Sequence, residues 1–166
     1  MIRPFDQSGV TRGADNISRY GGRPNSLIEM LRATVDRSPR SEAIVEIGGE
    51  RINYSELWDR AARVAGGLKD QAIGRGDRAA IRLCNGLDWC IAFWGTLMSG
   101  AIVVPVNTRF TESEVEYVIN DSGSRFVFLP GQPLPWGAPL VVDALSPADV
   151  AAIFYTSEPL AFRKVR

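Results

Sequence analysis

Histidine does not occur anywhere in the 166 residues. The chain can therefore build no imidazole general base, no histidine metal ligand and no Ser-His-Asp triad of its own. Cysteine is nearly as scarce. Cys84 and Cys90 are the whole complement, too few for a disulfide framework or a thiolate zinc site. Such a pair is expected to serve as small buried apolar residues in a reducing compartment. Net charge is missing as well: 19 basic residues balance 19 acidic ones. That balance removes the electrostatic case for nucleic acid or an anionic membrane as a partner.

An uninterrupted membrane-length apolar run is also lacking. Residues 89–108 contain no charged side chain, but Ser99-Gly100 breaks the stretch and Pro105 lies in its second half. A buried helix and then a buried strand account for it, so no membrane span is expected. Residues 1–25 place Arg3, Asp6, Arg12, Asp15, Arg19 and Arg23 among glycines and polar residues, with no apolar core of a signal peptide. They are expected to form a poorly ordered lead-in. The expected location is the cytoplasm.

The residues that are present make an ordinary globular mixture. With 45% apolar and 23% charged residues, a chain of this length can close one domain around a real core. Asn25 or Ser26 can cap a helix using Leu27, Met30, Leu31 and Val35, which Ser38-Pro39 ends. Two short strands, residues 43–47 and 50–54, flank Gly48-Gly49 and predict a small β-hairpin near the N-terminus. Ser55 is the expected cap of a second helix with its apolar stripe on Leu57, Ala61, Val64, Ala65 and Leu68. Glu56 with Arg60 and Asp59 with Arg63 are spaced for ion pairs on its wet side.

After the turn Gly74-Arg75-Gly76-Asp77 come a strand over 78–83, an almost wholly apolar helix over 87–98 and a strand over 101–106. Trp89, Phe93 and Trp94 belong to that helix and are expected in the core. Thr111 and Glu114 are spaced as a capping box for a helix using Val115, Val118 and Ile119. Capping explains Glu114 better than acid/base chemistry does, and Glu112 and Glu116 share a solvated face. Further strands are expected at 125–129, at Leu140-Val141-Val142 and at 150–155, with Trp136 partly exposed in a Pro/Gly-rich bend between the first two. Alternating strands and helices, with strands apolar throughout, predict an α/β fold: a mostly parallel sheet with helices on both faces.

Several blocks, taken together and in order over residues 26–157, resemble the N-terminal part of the adenylate-forming, AMP-binding acyl-CoA synthetases. Arg51-Ile52-Asn53-Tyr54-Ser55-Glu56-Leu57 is similar to an early block of that family, as is Gly76-Asp77-Arg78-Ala79-Ala80-Ile81 with Asn85 after it. The run from Leu97 through Gly100-Ala101 and Val104-Pro105-Val106-Asn107 and the run from Thr111 through Asp121-Ser122 continue the resemblance. In that family a strand ending Tyr-Thr-Ser, here Tyr155-Thr156-Ser157, leads into a glycine-rich loop. Its backbone amides and hydroxyls hold the phosphates of ATP. The resemblance implies Thr156 and Ser157 as the remnant of that loop, and a partial AMP-binding domain over 26–157. It implies ATP, magnesium and coenzyme A for the intact family, which converts a carboxylic acid to acyl-AMP and then acyl-CoA.

For this chain alone no cofactor, metal ligand or catalytic residue is expected. Residues 158–166 read Glu-Pro-Leu-Ala-Phe-Arg-Lys-Val-Arg instead of a glycine loop. A family-like loop encoded GGA ACC ACT GGC TTT CCG AAA GGT GCG gives this string after loss of one G from its first codon. A one-base frameshift is therefore the expected origin of the tail, and the tail itself is expected to lack defined geometry. Its basic residues Arg163 and Lys164 are expected to make no defined anion site. Two roles are open. The chain is either a truncated ligase that is inactive alone, or a non-catalytic module. As a module it would bind a downstream half-protein, a homologous synthetase or itself through an exposed apolar patch.

Overall fold

A computed structural model describes residues 9–143, 145–156 and, by backbone alone, 163–165. Two short antiparallel strands come first, β1 (Val10–Arg12) and β2 (Ser18–Tyr20), pairing Val10 with Tyr20 and Arg12 with Ser18. Local order thus exists at residues 10–20, where the sequence pattern predicts little. Asp15 is the reason: it accepts from the Ile17 amide at 3.1 Å and pairs with Arg19 across the turn at 2.5 Å.

Helix α1 (Leu27–Arg37) is capped by Ser26, whose hydroxyl accepts the Glu29 amide at 3.1 Å. The expected hairpin comes next as β3 (Glu42–Val45) and β4 (Arg51–Asn53), antiparallel with Ile44 opposite Ile52. Helix α2 (Tyr54–Asp70) begins earlier than expected. Its cap is Asn53, not Ser55. The Asn53 Oδ1 accepts the Glu56 amide at 2.9 Å while Glu56 accepts the Asn53 amide at 2.8 Å, a reciprocal pairing that satisfies two end-of-helix donors. Glu56 is thereby committed to the cap, and Arg60 pairs with Glu50 from the hairpin instead. Arg63 lies over the exposed Trp136 ring, 5.5 Å from its centroid. Neither expected ion pair along the helix is the one these arginines make.

Strand β5 (Arg78–Ile81), helix α3 (Leu87–Met98), strand β6 (Ile102–Pro105), helix α4 (Glu112–Ser122) and strand β7 (Phe126–Phe128) form the centre. The sheet order is β6-β5-β7, all parallel, with Ala80 opposite both Val104 and Val127. Strand alternation sorts the side chains to two faces. Ala79, Ile81, Val103 and Phe128 join one core with α1, α2 and α3, while Ala80, Val104 and Val106 join a second with Val115 and Val118 of α4. Helices therefore cover both faces, which is why these strands are apolar throughout. Trp89, Phe93 and Trp94 are partly buried against the larger core, with Trp89 stacked on Phe93 at 5.4 Å.

The blocks quoted from the sequence largely hold this frame. Arg78 donates to the Ser122 and Gly123 carbonyls, each at 2.8 Å, and so closes the C-terminal end of α4 onto the start of β5. Asp77 accepts from Arg125 at 2.7 Å. Thr111 and Glu114 make the expected capping box, and Gly123 ends the helix in the left-handed region at φ 63°.

Two expected strands differ. Leu140-Val141-Val142 is not a strand. The segment crosses the helical layer, where the Gly137 and Leu140 amides donate to the Arg63 and Ala62 carbonyls of α2 and the Val142 amide donates to Met98. The crossing is close: a Cβ on Gly66 would come within 1.8 Å of the Ala138 carbonyl oxygen. The strand expected over 150–155 is reduced to a parallel bridge of Ala152 with Val103 and then β8 (Phe154–Thr156). Strand β9 (Arg163–Val165) pairs antiparallel with β8, setting Thr156 opposite Arg163. That part of the tail does have defined backbone geometry, because an open strand edge is a ready template for pairing.

Candidate functional site

In a parallel α/β sheet, ligands bind beyond the carboxyl ends of the strands, where loops diverge and amides are left unpaired. A crevice of about 530 Å³ opens there, with Leu83 and Asn85 beyond β5, Asn107 and Arg109 beyond β6, and Tyr155 from β8 on its walls. Trp89, from the first turn of α3, lines it as well. Asn107 shapes its own loop: its side-chain oxygen accepts the Arg109 amide at 2.9 Å and its carbonyl accepts the Phe110 amide at 3.1 Å. A second, smaller cavity of about 170 Å³ lies at the amino ends of the strands, between the start of α1 and residues 145–151. Asn25, Ser26, Ser146 and Asp149 are its polar lining, but it lies away from the carboxyl ends of the strands.

Thr156 is exposed at the last position of β8, immediately after a crevice residue. Ser157, the other residue that the resemblance implies for the phosphate-loop remnant, lies outside the described residues, as does the stretch 158–162, for which a frameshift origin is expected. The neighbouring electrostatics come from α4. The Tyr155 hydroxyl donates to the Asp121 carboxylate at 2.5 Å, and partial burial together with that bond raises the phenol above its usual range. Arg82 holds Glu112 in a two-pronged pair at 2.6 and 3.0 Å, which depresses the carboxyl. Glu114 is likewise held down, first by the Thr111 amide. Both groups are thus kept ionised by structural partners, the opposite of what a general acid needs.

Asn85, Asn107 and Arg109 carry no site assignment from the sequence pattern. Their position directly after apolar strands is the available signal. The two cysteines divide: Cys84 is exposed, correcting its expected burial, whereas Cys90 is half-buried and its thiol is pushed up by desolvation. Among the described residues no cluster of His, Cys, Asp and Glu has the spacing of a metal site, and no helix is long and apolar enough to cross a membrane.

Comparison with known proteins decides the family. A model of the AMP-binding enzyme family matches residues 31–143. The chain belongs to that family. Its relatives include the long-chain-fatty-acid–CoA ligase FadD13 of Mycobacterium tuberculosis (strain ATCC 25618 / H37Rv), 37% identical over 119 residues, which are 70% of this chain and 22% of that protein. The mitochondrial medium-chain acyl-CoA ligase ACSF2 of Rattus norvegicus is 34% identical over 105 residues, covering 63% of this chain and 17% of the relative. Among solved structures, the inhibitor-bound N-terminal domain of FACL13 from M. tuberculosis matches with TM-score 0.72 at 28% identity, over 82% of this chain and 42% of that one. The matched part of this chain thus spans about a fifth of the length of these ligases, and the fold it shares with the FACL13 structure is part of that protein's N-terminal domain.

Proposed function

We propose that residues 26–157 form the opening part of the AMP-binding domain of a fatty-acid–CoA ligase, and that this chain alone does not activate a carboxylic acid. The observation that carries the proposal is the crevice at the carboxyl ends of β5, β6 and β8. It lies beyond the carboxyl ends of the strands, the usual ligand position in such sheets, and among the described residues its polar rim is Asn85, Asn107, Thr108 and Arg109 with Thr156 adjoining. A triphosphate needs several convergent amides and more than one cation to offset its charge. These residues do not fit ATP as a complete cradle, so no reaction step is assigned through it. Magnesium and coenzyme A belong to the same proposal only as cofactors of the longer relatives. A cytoplasmic location belongs to it too.

The test is direct. Purified protein with ATP, magnesium and fatty acids of medium and long chain length is expected to release no pyrophosphate and form no acyl-AMP. Turnover well above a no-enzyme control overturns the proposal.

A second reading, a non-catalytic binding module, is favoured by one feature. Val150 and Phe154, flanking the bridge to β6, are 46% and 52% exposed, apolar surface beside a sheet edge that longer relatives have chain to cover. Co-purification with the polypeptide encoded immediately downstream supports this reading if a defined heterodimer elutes. Elution of the chain by itself or as polydisperse aggregate counts against it.

A further inference from the structure

The strand that leads to Thr156 is held to the central sheet by very little. Its one bridge is Val103 with Ala152, made by the Val103 amide to the Ala151 carbonyl at 3.0 Å and the Ile153 amide to the Val103 carbonyl at 2.9 Å. Beyond Ile153 the attachment passes to a side chain. The Tyr155 hydroxyl reaches across to Asp121 of α4 at 2.5 Å, and the two rings of Tyr155 and Tyr117 meet edge-on at 6.4 Å. Helix α4 is itself fixed, because Arg78 of β5 donates to the carbonyls of Ser122 and Gly123, next to Asp121 in the chain. A continuous path thus runs from β5 through Arg78 and the last turn of α4 to Asp121, Tyr155 and the end of β8.

We propose that Asp121 is a positioning residue: its carboxylate docks the end of β8 onto α4 and thereby sets where the chain leaves the sheet at Thr156. The bond is of the strong kind, a hydroxyl donating to an ionised oxygen, and it acts on the residue next to the one that would open a phosphate loop. The significance of Thr156 rests on the ligase reading. The docking itself does not. Among the described side chains, the ionisable and polar groups facing the Tyr155 hydroxyl are Asp121, Tyr117 and Ser122 on α4, while on β9 Lys164 stands opposite Tyr155 in register.

The full chain, without nucleotide or fatty acid, suffices for the test. Amide hydrogen exchange is measured at 151–156 and at 78–81 in the wild type, Asp121→Asn, Tyr155→Phe and the double variant. Exchange at 153–156 is expected to rise about tenfold or more in each single variant, with 78–81 unchanged and the double variant no worse than either single one. Phenolate absorbance supplies a signature that general loosening would not give. The Tyr155 phenol, held above its usual range by partial burial and by Asp121, is expected to titrate at lower pH in Asp121→Asn, and its step to be missing in Tyr155→Phe. Unchanged exchange at 153–156 together with an unchanged titration in Asp121→Asn overturns the proposal. Should Asp121→Asn loosen 78–81 as well, Tyr155→Phe decides, since it keeps the ring: faster exchange confined to 153–156 supports the docking, and none refutes it. Neither result depends on pyrophosphate release, so the docking and the ligase reading fail separately.

Discussion

The two sides of β6 are built very differently. On one, β5 and then β7 continue a parallel ladder, with α1, α2 and α3 sealing one face, where Val64, Leu68 and Met98 join Ile81 of β5 in one core, all four fully buried. On the other, the segment leading into β8 meets β6 through a single bridge at Ala152, and β8 itself pairs only with the short β9, keeps Phe154 half exposed and reaches α4 through a tyrosine. The contrast shows what the family-like blocks contribute. Gly76-Asp77-Arg78, Thr111 with Glu114, and Asp121-Ser122-Gly123 are mainly devices that close helices onto the sheet. Their presence establishes the frame and says little about whether chemistry is available at its rim.

The sharpest challenge to this contrast is a pair of substitutions, one on each side. Leu68→Ala should cost about 3 kcal/mol in urea unfolding, from lost burial plus a cavity, whereas Phe154→Ser should stay within about 0.5 kcal/mol. Equal losses would mean that the β8 side is as tightly packed as the helical layer. Arg78→Met comes next. Leaving the Ser122 and Gly123 carbonyls without their charged donor should cost about 2 kcal/mol, measured as a lowered urea midpoint with α4 exchanging faster than α2. A smaller effect is expected from Thr111→Ala, about 1 kcal/mol for a lost cap, read from thermal unfolding with Ser113→Ala as a control that should do less.

The smallest effect concerns the first hairpin. Arg19, and then the Ile17 amide, hold the Asp15 carboxyl down to about 2 from 3.8. A carboxyl depressed in the folded state stabilises above its unfolded value, and that contribution disappears as pH falls through the folded one. Amide chemical shifts of residues 10–20 should therefore move toward unfolded values between about pH 4 and pH 2, with those of β5 lagging behind. Simultaneous loss would show that the hairpin is not an independent, weakly attached unit.

Much of this architecture was legible in the sequence because it rests on periodicity and caps. The spacing of Leu57, Ala61, Val64 and Leu68, the Thr111 and Glu114 pair, and the doubly apolar strands at 79–81 and 102–104 each point to one local answer. The misses share a cause: a partner distant in sequence. Asn53 outcompeted Ser55 as a cap because the hairpin delivers it at the right angle, and Arg60 turned to Glu50 for the same reason. Leu140-Val141-Val142 has strand composition, but its amides found helix carbonyls. The crevice was visible only as strand ends: Asn85 and Asn107 stand in family-like blocks without a site role, Arg109 carries no local signature, and the parallel topology is what brings them together. Family blocks named Thr156 and Ser157; spacing alone would not have.

The crossing of residues 137–142 over α2 also bears on how the molecule is made. Gly66 and Gly67 leave a shallow track on the helix that only this later segment fills, and its amides reach Arg63, Ala62 and Met98 from far along the chain. During synthesis, α2 must wait with that track open until residue 142 has left the ribosome. The parallel partners of β5 likewise arrive only after an intervening helix. Folding is therefore expected to be late and non-local, with an apolar helix surface on offer to chaperones in the interval. A chain interrupted before residue 137 would never close its larger core, however complete its helices.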